Sequence, residues 1–72
     1  MTEEGALEKG DTIAWKSLRS KSRSWGLVEW VDERGIHVRL AQAGTSKVRT
    51  TVNPDYVQLS FHGREEFDKR LR

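Results

Sequence analysis

"SWGLVEWVDERGIHVRL", residues Ser24 to Leu40, is the stretch whose reading decides the fold. Its second half, Gly35 to Leu40, alternates strictly: Ile36, Val38 and Leu40 fall on one face, His37 and Arg39 on the other. That is the period of a half-buried β-strand. Asp32 to Gly35 is a tight connection, in which Gly35 supplies the left-handed position that so short a turn needs. The first half, Trp25 to Val31, is apolar but less regular. Val28 and Trp30 would share one face, and Leu27 and Val31 the opposite one. Either both faces are partly covered, or a bulge near Glu29 and Trp30 shifts the register so that Val28 and Val31 both point inward.

Outward from this hairpin, the pattern continues in both directions. "TIAWK" (Thr12 to Lys16) alternates, with Ile13 and Trp15 on one face and Thr12, Ala14 and Lys16 on the other, and reads as a first strand. "EKGD" before it is a turn signal. "SLRSKSRS" (Ser17 to Ser24) interleaves serines with cations and reads as a solvated loop. Beyond Leu40, Ala41 to Ser46 forms a hairpin loop. Lys47 to Val52 is a fourth strand with Val48, Thr50 and Val52 inward and Arg49 outward. Asn53 to Val57 holds a turn with one turn of 3₁₀ helix, because Pro fixes φ and Asn starts turns. Val57 to Phe61 is a fifth strand. In "HGREEFDKRLR" (His62 to Arg72) the period changes: Phe67 and Leu71 are four apart, and Glu65 with Lys69 and Glu66 with Arg70 are i,i+4 pairs in the favoured order. A short helix is expected there, docked on one end of the strands.

At 72 residues the chain has room for one domain with a thin core. A sheet closed on itself is an economical way to build such a core. Residues 1–8 read as a flexible lead-in, 9–61 as the β unit and 62–72 as the helix or tail. Cysteine is absent, which excludes disulfides, thiolate metal sites and cysteine nucleophiles. The acidic, small N-terminus "MTEEGALEKG" lacks the form of a signal peptide, and no apolar run approaches a membrane span. A soluble cytoplasmic protein without membrane contact is expected. His37 and His62 stand alone, so no metal or other cofactor is expected. No nucleophile–base set emerges from spacing, and Asp32 and Glu33 read as turn residues; the expectation is a non-enzymatic protein.

Net charge is only +2, yet the charges are segregated. Lys16, Arg19, Lys21 and Arg23 lie in a stretch without acids, as do Arg34, Arg39, Lys47 and Arg49. Such clustering can make a one-signed face.

"KGDTIAW" (Lys9 to Trp15), "GLVEWV" (Gly26 to Val31), "GIHVRL" (Gly35 to Leu40) and "VNPDYVQL" (Val52 to Leu59) together resemble the KOW and Tudor-like group of SH3-like barrels. Gly26, Val28 and Val31 match the group's Gly, Val and apolar spacing. The resemblance spans about Glu8 to Leu59 and implies an all-β, five-stranded SH3-like barrel. It also implies binding to nucleic acid, ribosomes, polymerase or peptides. "GDTIAWK" and "WGLVEW" are loosely similar to the type II dihydrofolate reductases as well. The V-Q-I-Y segment of that family is absent, since "KVRTTV" stands in the corresponding strand, so its activity is not carried over.

The expected function is a small module that contacts RNA or DNA. Lys16, Arg19, Lys21, Arg23, Arg39, Lys47 and Arg49 would meet phosphates, and Trp25 would stack on a base. One or two of Trp15, Trp25 and Trp30 are expected to plug the barrel ends. An alternative aromatic ligand site draws on Trp15, Trp30 and Tyr56, or on a cage of Trp25, Trp30 and Tyr56 for a methylated ammonium. The alternative function is a protein-interaction adaptor whose groove lies between the first loop and the 3₁₀ turn. A third is a small enzyme at an oligomer's symmetry axis; the oligomeric state is left open.

Overall fold

A computed structural model describes residues 7–41 and 47–71. Residues 1–6 of the expected lead-in and 42–46 of the expected hairpin loop lie outside the described residues. Five strands follow one another: β1 (Thr12–Trp15), β2 (Ser24–Asp32), β3 (Gly35–Leu40), β4 (Arg49–Val52) and β5 (Val57–Phe61). A 3₁₀ turn (Pro54–Tyr56) precedes β5, and one helix, α1 (Glu65–Leu71), ends the fold. The strands form one sheet in the order β4-β3-β2-β1-β5, with every neighbouring pair antiparallel. β5 therefore returns across the molecule to pair with β1, while β4 and β5 remain the two edges. The result is an all-β, small-barrel-like fold whose hydrogen-bonded sheet is open.

The irregularity of β2 is a bulge. Val28 pairs with Val38 and Trp30 with His37, so Glu29 is the extra residue. The bulge places Val28 inward, where it is 1% exposed. Val31 pairs with the core residue Ile36 and so returns to the inner face, but it lies at the end of the strand beside the Asp32–Gly35 turn and stays 49% exposed. Val48, expected inward on β4, is likewise exposed and precedes the strand, which begins at Arg49. The core on the inner face is Ile13, Trp15, Val28, Ile36, Val38 and Val52, with Leu7, Leu40 and Val57 packed against it. Leu7, assigned from sequence to the lead-in, thus belongs to the folded unit.

Glycines meet two tight demands in this core. Gly35 has a φ of 134°, and a Cβ there would stand 2.6 Å from the Val52 carbonyl oxygen. Gly26 lies under the Trp15 ring; a Cβ would come within 3.0 Å of it. The indole can lie flat on the sheet because this position is bare.

Helix α1 docks elsewhere than expected. Thr12 and Ala14 lie on the outer face of β1, opposite Ile13 and Trp15, yet both are completely buried. α1 covers them, touching β1 and β2, with Phe67 1% exposed as the plug. The helix therefore sits on the outer face of the sheet, not on a barrel end. The small side chains of Thr12 and Ala14 leave the shallow floor that one aromatic ring can fill. The segment before α1 is tied down by polar groups. Asp11, nearly buried, accepts from the Glu8 N–H through Oδ2 at 3.0 Å and from the Gly63 N–H through Oδ1 at 3.2 Å. The Thr12 hydroxyl donates to the Gly63 carbonyl at 2.9 Å. The Gly-Asp-Thr run at the head of β1 thus anchors both ends of the fold.

Candidate functional site

The cations expected to meet phosphate fall into two groups with different surroundings. Lys16, Arg19, Lys21 and Arg23 lie in the β1–β2 loop and are all exposed. Lys16, Arg19 and Lys21 make no ion pair among the described residues. Arg23 donates from Nε to the neutral Gln58 Oε1 at 2.9 Å, which holds the end of the loop against β5. The loop is also fastened by the Lys16 N–H to the Tyr56 carbonyl at 3.4 Å, which brings it beside the 3₁₀ turn. A Ser20–Ser22 contact, hydroxyl to carbonyl at 2.8 Å, shapes its tip. Leu18 stands 89% exposed among these charges.

Arg39 and Arg49 are different. Both point outward, as expected, but both meet the bulge residue. Glu29 accepts from Arg39 Nη2 at 2.9 Å and from Arg49 Nε at 3.1 Å. The extra residue of β2 thus turns a carboxylate onto the strand arginines and neutralises half of their charge. Lys47 is exposed just ahead of β4. The loop and strand cations consequently form no continuous bare stripe.

The tryptophans take three separate positions. Trp15 is a core residue. Trp25 is half-buried on the outer face beside the loop. Its ring stacks on Phe61 with centroids 5.7 Å apart and planes at 24°, and the Arg70 guanidinium carbon lies 4.0 Å from its centre. Trp30 is the most exposed indole, at 51%. It lies five residues along β2 from Trp25, about 16 Å at the usual rise per residue. Trp15, Trp25, Trp30 and Tyr56 therefore do not converge on one pocket, and the uncovered indole is at the end of β2 remote from the basic loop.

Around Trp30 the side chains form a small network. The ring stacks on His37 at 4.3 Å and 16°, and Nε1 donates to Asp32 Oδ2 at 3.3 Å. His37 Nε2 lies 2.9 Å from Asp32 Oδ1. The carboxylate can only accept, so this nitrogen carries the proton. The Thr51 hydroxyl is 3.1 Å from Nδ1. The His37 hydrogen bond holds the Asp32 carboxyl below its ordinary value; desolvation opposes this, and the Arg34 N–H and Trp30 assist.

Phe61 and Arg70 are functional candidates that the linear pattern does not single out. They reach Trp25 only because β5 pairs with β1 and α1 folds back over both. Among the described residues no group of three or more His, Asp or Glu side chains could hold a metal ion. No helix among them is long and apolar enough to cross a membrane. Comparison with protein-family models, with curated proteins and with solved structures finds no match to this chain.

Proposed function

We propose that the protein is a small non-enzymatic binding module for nucleic acid, of the KOW or Tudor-like kind, whose contact surface is the β1–β2 loop. The observation that carries this reading is the contrast between the two groups of arginines and lysines. The strand arginines hold a carboxylate between them; the loop cations face solvent with no acid beside them. Four positive charges and three serine hydroxyls within a short loop suit a chain of phosphates, which needs donors and charge more than rigid geometry. The hydrogen bonds from Lys16 to Tyr56 and from Arg23 to Gln58 pin both ends of the loop and reduce the entropy lost on binding.

Fluorescence anisotropy with labelled RNA and DNA oligonucleotides across a salt series tests the reading. Neutralising about four phosphates predicts a slope near −3 for log K against log salt with single strands. Replacing Lys16, Arg19, Lys21 and Arg23 together by Gln should flatten that slope and abolish binding. Absence of binding by the wild-type protein at low salt would refute the proposal. A protein-interaction adaptor is the second reading, favoured by one specific observation: the apolar Leu18 in the β1–β2 loop is 89% exposed. An apolar anchor of that kind predicts binding that salt hardly changes and that Leu18→Ser removes.

A further inference from the structure

The outer face beside the loop has a composition unlike the rest of the surface. Trp25 on β2 and Leu59 and Phe61 on β5 lie there, on the two strands that flank β1. Ala14 pairs with Trp25 on one side and with Leu59 on the other, and Thr12 pairs with Phe61. The register makes Trp25 and Phe61 diagonal neighbours across β1. The indole reaches over the small Ala14 side chain to meet the Phe61 ring. Phe61 and Leu59 each remain 36% exposed, so aromatic and aliphatic surface is left open after α1 has docked.

Two arginines border this surface. Arg23 is held toward β5 by Gln58. Arg70 lies over Trp25 and is 3.7 Å from Glu66 through Nη2. The acids of α1 are engaged locally: Glu65 and Glu66 with Lys69, Glu66 also with Arg70, and Asp68 with Arg64 just ahead of the helix. The patch is thus apolar, aromatic and edged by cations, and it adjoins the loop at Arg23 and Trp25.

We infer that the Trp25–Phe61 pair, with Arg70 stacked on it, is a base-binding platform, and that the ligand of this protein is single-stranded nucleic acid. The inference rests on the proposed phosphate contact by the loop. A strand whose backbone follows Lys21 and Arg23 brings its next base to Phe61. Aromatic rings and guanidinium planes bind unpaired bases by stacking, and each stack is worth about 1–3 kcal/mol. A duplex keeps its bases inside and offers the platform nothing. The same apolar surface could receive a protein segment, but the arginines at its border and the bare loop cations beside it favour a polyanion.

Oligonucleotides that differ only in their bases separate the platform from the loop. Binding is measured by anisotropy for a single strand, for the same strand as a duplex, and for an abasic strand of equal length and charge. The platform predicts that the abasic strand and the duplex bind at least tenfold more weakly than the single strand. Phe61→Leu, which keeps an apolar side chain at the end of β5, should bring the single strand close to the abasic value, with an unchanged salt slope. Circular dichroism and the urea midpoint confirm that this variant is folded. Equal affinity for all three ligands, or no effect of Phe61→Leu in a folded protein, overturns the platform and leaves the loop contact standing. Failure of every ligand to bind at low salt overturns both.

Discussion

Gly35 and Asp32, at the two ends of the β2–β3 turn, are single residues whose chemistry is unusually constrained. At Gly35 both the backbone angle and the space forbid a side chain, since φ is 134° and the Val52 carbonyl would be 2.6 Å from a Cβ. Gly35→Ala should lower stability by at least about 2 kcal/mol, read as a shift of the urea midpoint at constant slope. Asp32 carries a pH signature. Its carboxyl is held below its ordinary value, chiefly by the hydrogen bond from His37. A depressed folded value means stabilisation that is complete above the unfolded carboxylate value and is lost as pH falls through the folded one. Asp32→Asn should therefore remove part of the slope of stability against pH below about pH 4, and leave the neutral region nearly level. An unchanged acid limb in urea titrations at several pH values would contradict the assignment. Here the sequence was informative about the turn, since "DERG" announces one. It was silent about the His37–Asp32–Trp30 network, because the contact depends on Glu29 bulging and bringing Trp30 opposite His37.

Among the elements, β2 and α1 decide the character of the surface. The bulge in β2 has two effects from one extra residue: it keeps Val28 in the core, and it sets Glu29 against Arg39 and Arg49. Glu29→Gln would release both arginines. Because the Glu29 side chain is only 18% exposed, the swap to an amide of the same shape preserves its packing. It should change stability by less than about 1 kcal/mol and strengthen nucleic-acid binding severalfold at low salt, with a steeper salt slope. Helix α1 has seven residues, too few to persist alone, and its existence depends on docking against β1 and β2 with Phe67 buried. Phe67→Ala should cost about 3–4 kcal/mol and unfold α1 before the sheet, seen as lost protection of the amides after Glu65 in hydrogen exchange. The helix itself was readable from Phe67 and Leu71 four residues apart and from the i,i+4 pairs, all of which form. Its docking place was not, since that depends on which face of β1 carries small side chains facing an otherwise open surface.

For the whole molecule, the strand count, the 3₁₀ turn, the inner core and the terminal helix follow from local periodicity. Alternation of apolar and polar residues is a property of neighbours in the chain, and burial acts on it directly. What a charged or aromatic side chain is free to do is another matter. Arg39 and Arg49 look like phosphate ligands until Glu29 is seen between them. Trp25 stands alone in the sequence until Phe61 and Arg70 join it from positions 36 and 45 residues later in the chain. The sequence by itself determined five strands and a helix, because hydrophobic period and turn chemistry are written locally. Only the tertiary structure decided which cations stay bare and which rings stay open. Neutralisation and stacking are contacts between residues far apart in the chain, and strand pairing sets them.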